Sequence, residues 1–161
     1  MRPVTVSVDV PQSREDVYAF IDVLANHEPF TNHMLVDWEC SGPPRGVGAR
    51  ARMRVNKPGR PDWLELQVIG ADPPTTTTEE AVSAGGRRRT RGTYILEALD
   101  DGAGTRVSFR LQWLAAPAVE RLAAPFTRAV TRRGNLRSLR RLAAQLDDRA
   151  LSPAHEEANG P

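Results

Sequence analysis

The sequence predicts an α+β domain in which a curved antiparallel sheet of six to seven strands wraps around a long C-terminal helix. Three observations carry this prediction. The chain opens with a strand-like alternation followed by one or two short helices. Further alternating segments recur about every ten residues between residues 36 and 113. Beyond Pro117 the spacing of apolar residues changes to that of an amphipathic helix, at about 3.6 residues per turn.

The first strand is predicted at Val4–Val10, where valines alternate with polar residues until Pro11 ends the segment. Ser13 then stands at a helix N-cap position with acidic residues directly after it, as expected for a first turn. Apolar residues at helical spacing follow through Leu24, which predicts a short helix. Residues 26–34 are predicted to form a loop or a broken second helix, because Pro29 disfavours a helical residue before it.

The central part of the chain alternates apolar and polar residues in five further segments and one threonine-rich one. Turn sequences rich in glycine, proline and asparagine separate them, and Asp100–Gly104 is a hairpin signal. These connections are too short for crossover helices, so the sheet must be mostly antiparallel. The predicted strands are 36–40, 49–55, 64–68, 75–82, 93–99 and 107–113.

A long amphipathic helix is predicted over residues 118–148, with kinks at Pro125 and Gly134. Residues 1–150 are therefore expected to form one domain, since the chain contains neither internal repeats nor a candidate linker. The polar, proline-containing segment 151–161 is expected to be a disordered tail.

The amino-acid composition of the chain limits the classes of protein to which it can belong. The chain has 161 residues, 40% of them apolar and 26% charged, as in ordinary globular proteins. Its single cysteine, Cys40, excludes an internal disulfide, and no signal peptide or membrane-spanning run is visible. A cytoplasmic location is the expectation. The formal net charge of +2 gives no reason to expect a DNA partner.

The order of elements resembles the START-like superfamily, also called the polyketide cyclase/dehydrase and lipid-transport (SRPBCC) superfamily. Three parts of the chain carry the resemblance: strand Val4–Val10 with the helix around 17–20, the hairpin formed by 92–97 and 104–110, and the closing helix at 136–142. The resemblance implies a helix-grip fold. Its members include lipid carriers, aromatase-cyclases, hormone receptors and ribosome-associated proteins, so it implies several functions.

The leading functional prediction is a small hydrophobic ligand, lipid-like or aromatic polyketide-like, bound between sheet and helix. Most inward-facing residues fill the core in any such fold, and the ligand role rests on the resemblance. The residues expected to line the ligand site are Trp38, Met53, Leu66, Tyr94, Leu96, Phe109, Leu111, Trp113, Leu122, Phe126 and Val130.

A second prediction is a cyclase, dehydratase or aromatase that folds a reactive chain in the same cavity. Tyr94 and His33 are its candidate catalytic residues, because a buried hydroxyl needs a partner and a histidine exchanges protons near neutral pH. A core tyrosine bound to a backbone carbonyl and an ordinary loop histidine are the simpler alternatives. His27 and Glu28 do not have metal-ligand spacing with His33, so no metal or other cofactor is expected.

A third prediction concerns arginines. All but one of the 22 basic residues are arginine, and two clusters stand out, at 87–91 and at 128–141. A solvated face is the usual explanation for such clusters. The alternative is a contact with RNA, the ribosome or an anionic membrane, and exposed aromatic residues that could stack on bases are missing.

Overall fold

The computed structural model describes residues 1–99 and 103–151, and its main element is a seven-stranded antiparallel sheet. The strands are β1 (Val4–Val10), β2 (Leu35–Ser41), β3 (Arg50–Val55), β4 (Trp63–Asp72), β5 (Thr76–Ser83), β6 (Arg88–Leu99) and β7 (Gly104–Ala115). Their order in the sheet is β1-β7-β6-β5-β4-β3-β2, so the first strand pairs with the last and the remaining neighbours follow in chain order.

Irregularities in pairing help the sheet to curve. The register shifts between Val36 and Glu39 on β2, between Val68 and Gly70 on β4, and at Arg89 on β6. Such bulges bend a strand and increase its local twist. The sheet thereby acquires a concave face on which helices can pack.

Short helices follow β1 and cover one end of the sheet. Helix α1 (Arg14–Ile21) begins as predicted, because the Ser13 hydroxyl accepts a hydrogen bond from the backbone N–H of Asp16 at 3.1 Å. A 3₁₀ turn (Leu24–Asn26) and helix α2 (His27–Thr31) come next. Pro29 does not prevent α2, since it lies in the first turn, where its missing N–H is not needed.

The C-terminal helical segment consists of α3 (Ala118–Leu122) and α4 (Ala124–Leu151). The break falls at Ala123 and not at the predicted kink sites. Pro125 lies in the first turn of α4, where it is tolerated. Gly134 keeps the helix continuous and allows close packing instead, since a Cβ there would overlap the Met34 sulfur.

Two apolar clusters hold the layers together. The larger cluster joins β1, α1, the inner face of β6 and β7, and the C-terminal half of α4. Helix α4 contributes Leu139, Leu142 and Leu146, and each of these side chains is at most 4% exposed. The smaller lies under β3 and β4 around Met53 and Leu66. Because α4 covers only one part of the concave face, space remains between the two clusters.

The α+β class, the antiparallel sheet and the long C-terminal helix are confirmed. Strand β6 begins at Arg88, five residues before the predicted Thr93, because its arginines pair with β5 and β7. The turn at 100–102 and the predicted tail beyond Leu151 lie outside the described residues. The division into a domain of residues 1–150 and a tail stays a prediction.

Candidate functional site

A cavity of about 240 Å³ lies between the concave face of the sheet, α2 and the middle of α4. Its walls are mainly apolar, as in small-molecule sites generally. Five residues predicted for the ligand site line it: Trp38, Leu66, Tyr94, Phe109 and Leu111.

Glu79 is the one acidic side chain among the described residues that line this cavity. Along β5 the odd-numbered residues point inward, which places Glu79 in line with Thr77 and Ala81. Its partner in β6 is Gly92. A Cβ at position 92 would lie 2.8 Å from the Phe109 ring and 3.0 Å from a carboxylate oxygen of Glu79. The absence of a side chain at Gly92 therefore makes room for the Glu79 carboxyl.

The environment of Glu79 shifts its protonation equilibrium. No described residue donates a hydrogen bond to its carboxyl, and no arginine or lysine is among the described cavity-lining residues. Loss of hydration disfavours the charged form and raises the pKa of Glu79 to about 7. Glu79 is therefore divided between acid and carboxylate near neutral pH.

Tyr94 stands beside Glu79 on the sheet. Its ring packs against Phe109, with ring centroids 4.6 Å apart, and edge-on against His27 at 5.5 Å. Burial, with a smaller contribution from the Glu79 charge, raises the pKa of Tyr94 well above its ordinary value. The phenol therefore stays protonated and remains a hydrogen-bond donor.

Two polar side chains face the same cavity from α4. Asn135 and Ser138 are 7% and 6% exposed and lie one helical turn apart. The Asn135 Nδ2 and the Ser138 Oγ have no hydrogen-bond partner among the described residues. Buried polar atoms are nearly always paired in folded proteins, so two neighbouring unpaired groups on a cavity wall mark a place for a ligand's polar atom.

His27 lines the cavity from α2 and has a structural role. Its Nε2 lies 2.7 Å from the carbonyl oxygen of Ile21, and the residue is 4% exposed. Burial outweighs this hydrogen bond and lowers the pKa of His27 to about 4. The ring is therefore neutral at neutral pH, with Nε2–H as the donor to Ile21.

His33, a predicted catalytic residue, does not reach the cavity. Its Nε2 donates to the carbonyl oxygen of Gly134 at 3.2 Å, and its Nδ1 faces an Arg141 nitrogen at 3.3 Å. Burial lowers the pKa of His33, and Arg137 and Arg141 lower it further. Both ring nitrogens are engaged in holding the loop before β2 against α4, so the structure gives His33 a packing role.

The other predicted ligand residues divide into two groups. Met53, Leu96 and Trp113 are buried in the apolar clusters, at most 9% exposed, and are not among the cavity-lining residues. Leu122, Phe126 and Val130 are 87%, 72% and 55% exposed. Their predicted place on the ligand-facing side is wrong, because they project from the face of α3 and α4 that points away from the sheet.

With Val119, which is 70% exposed, these three residues form an apolar row that we call the exposed stripe. Arginines accompany it. Arg132, Arg133, Arg137 and Arg140 are exposed and make no ion pair with any described residue. Four of the six arginines in the predicted cluster at 128–141 are therefore exposed, next to an apolar surface that was not predicted, while Arg128 and Arg141 are half-buried.

The arginines at 87–91 are largely neutralised within the chain. Arg88 bonds to Asp62 at 3.2 Å and also pairs with Glu120. Arg91 pairs with Glu80 at 2.6 Å. This cluster joins β6 to its neighbours and to α3, which removes most of its charge from any interaction with an outside partner.

Comparison with known proteins gives structural matches. No family model and no curated protein matches the sequence. The KanY protein, solved by NMR, superposes with a TM-score of 0.71 at 16% identity, covering 91% of this chain and 97% of that one. The protein TTHA0849 from Thermus thermophilus gives 0.67 at 20% identity, covering 89% and 95%.

DynU16, a protein in the dynemicin biosynthetic locus, gives a TM-score of 0.63 at 19% identity over 90% of this chain. The match covers 47% of DynU16, so this chain spans about half the length of that protein. These likenesses establish the helix-grip fold. No described helix is both long enough and apolar enough to cross a bilayer.

Proposed function

We propose that this protein binds a small, mainly aromatic molecule in the cavity between the sheet and α4. The observation that carries the proposal is the pair of unpartnered donors, Asn135 Nδ2 and Ser138 Oγ, on the wall of a mainly apolar cavity. A ligand carbonyl or phenol oxygen would satisfy both groups. Its rings would lie against Trp38 and Phe109.

The cavity size bears on the two ligand types that the sequence suggested. A volume of about 240 Å³ suits a molecule of one or two rings and is small for a lipid with two acyl chains. It therefore supports a compact aromatic ligand over a two-chain lipid.

Native mass spectrometry of gently purified protein tests this proposal, combined with titration by 2-naphthol. We expect 2-naphthol to shift the NMR signal of the Trp38 indole N–H, whose Nε1 donates to Leu35 at the cavity wall. The Trp63 indole, which packs on Arg52 on the other face, is the internal control. Equal shifts at both indoles, or no shift at either, would contradict the proposal.

An enzyme that moves protons is the second candidate, and Glu79 is the observation that favours it. A carboxyl with a pKa of about 7 is suited to exchange protons at neutral pH. In such a reaction the carboxylate would take a proton from the carbon next to a ligand carbonyl. The electron pair would move onto the carbonyl oxygen, held by Asn135 and Ser138.

This chemistry is measurable without the natural substrate. We expect the protein to exchange the α-hydrogens of 1-tetralone with deuterium from D2O, and Glu79→Gln to lose the exchange while still binding the ketone. Glu80→Gln, on the opposite face of β5, is the matched control. If the wild-type protein binds the ketone but does not exchange its α-hydrogens, the binding proposal stands and the enzyme proposal is rejected.

A further inference from the structure

The face of the C-terminal helical segment that points away from the cavity has a distinct chemistry. At about 100° per residue, Phe126 and Val130 lie on the same face of α4 as Arg133, Arg137 and Arg140. All five are exposed. The face is therefore apolar near the start of the helix and basic further along.

The charge of this helical segment is mostly positive. Seven arginines and one glutamate occur between residues 118 and 146, and that glutamate, Glu120, is turned toward Arg88 on the sheet. Asp147 and Asp148 follow only near the C-terminal end of α4. No described acidic residue neutralises the arginines next to the exposed stripe. Large apolar side chains at 55% to 87% exposure beside unpaired arginines are unusual on a protein surface that meets only water.

We propose that the exposed stripe and Arg133, Arg137 and Arg140 dock this protein on the surface of an anionic phospholipid bilayer. Helices that lie in a membrane interface combine these two features: apolar side chains enter the acyl boundary while basic ones contact lipid phosphates. The helix lies on the surface and does not span it. This inference is independent of the ligand in the cavity.

Two other occupants fit the face less well. A second copy of the chain would bring two arginine-rich faces together, and like charges oppose that pairing. RNA would satisfy the arginines but not the stripe, because three of its four residues are aliphatic and cannot stack on bases. An anionic bilayer matches both the apolar and the basic part.

Vesicle flotation tests the proposal. We expect the full chain to float with vesicles of equal parts phosphatidylglycerol and phosphatidylcholine and not with phosphatidylcholine alone. Added salt should weaken the binding by screening. The double variant Leu122→Ser, Phe126→Ser should lower partitioning about tenfold or more, since it removes the side chains that enter the acyl boundary. Val47→Ser with Ile69→Ser, exposed apolar residues elsewhere, should bind like wild type.

A second readout locates the contact. In a Cys40→Ser background, an environment-sensitive dye on Phe126→Cys should shift to the blue with anionic vesicles, and the same dye on Val47→Cys should not. Absence of flotation, equal binding to neutral vesicles, or equal dye shifts at both positions would overturn the proposal. So would a dimer in sedimentation equilibrium, or tight binding of an RNA oligonucleotide, that the double variant abolishes.

Discussion

The two halves of the C-terminal helical segment have similar apolar content and opposite roles. Leu139, Leu142 and Leu146 are buried against the sheet, while Leu122 and Phe126 are mostly exposed. The exposed and the buried residues differ in their angular position around the helix axis. At about 100° per residue, Phe126 and Val130 lie about half a turn around α4 from the buried leucines. A helix can therefore close a cavity with one face and present a second apolar surface with the other.

The largest expected effect compares the same substitution in both halves. Leu142→Ala should lower the free energy of unfolding by about 2–5 kcal/mol, because it leaves a cavity in the core. Leu122→Ala should change it by less than about 0.5 kcal/mol, because the side chain is already hydrated. Urea denaturation measures both values. Similar losses in the two variants would show that the exposed stripe is covered in solution.

The next prediction concerns Glu79, which lies on the sheet that the buried half of the helical segment faces. The pKa of Glu79 is about 7 in the folded chain and near 4.5 when unfolded, so folding retains a proton that the unfolded chain releases. The contribution of Glu79 to stability should therefore fall as pH rises from about 4.5 to 7. The Glu79→Gln variant lacks this loss of stability at high pH. It should therefore be more stable than wild type by about 3 kcal/mol at pH 8 and by much less at pH 4.5.

The titration of His27 changes the stability in the opposite direction to that of Glu79. Its pKa is about 4 when folded and 6.5 when unfolded, so its contribution is fully present above pH 6.5 and is lost as pH falls toward 4. In wild type the two effects partly cancel. The Glu79→Gln variant should therefore show a steeper loss of stability in acid than wild type. Parallel pH profiles would contradict the Glu79 assignment, and a variant whose stability does not fall between pH 6.5 and 4 would contradict the His27 assignment.

Sequence reasoning identified the sheet and the helices because alternation and helical spacing are direct consequences of backbone geometry. It did not find Glu79, although the inward position of Ala81 two residues later was a usable signal. Asn135 likewise shares a helix face with Leu139. The exposed position of Phe126, about half a turn around α4 from Leu142, was also available from helical spacing.

Gly92→Ala tests the packing around Glu79 from the neighbouring strand β6. The added methyl group would lie 2.8 Å from the Phe109 ring and 3.0 Å from a carboxylate oxygen of Glu79, so that the ring and the carboxylate would have to shift. We expect a loss of about 1–3 kcal/mol in stability, typical of overpacking, together with weaker binding of 2-naphthol. Gly85→Ala is a poor control because of its positive φ, so Gly70→Ala, at ordinary contact distance from Thr78, is preferable.

The smallest effect on stability is expected on the helix side of the cavity. Ser138→Ala should leave unfolding unchanged within about 1 kcal/mol, since the hydroxyl has no partner to lose. Affinity for 1-tetralone should fall about three- to tenfold through the lost hydrogen bond. Thr131→Ala, on the same helix and outside the cavity, is the control for calorimetry. Unchanged affinity would remove Ser138 from the site.

The most direct test of the cavity as a ligand site is saturation-transfer NMR with a series of neutral one- and two-ring phenols and ketones. The wild-type chain would be compared with Ala81→Phe, which fills the cavity from β5, after circular dichroism has confirmed that the variant is folded. We expect two-ring members to bind wild type and to lose binding in the filled variant. No binding by any member, or equal binding to both proteins, would contradict the account.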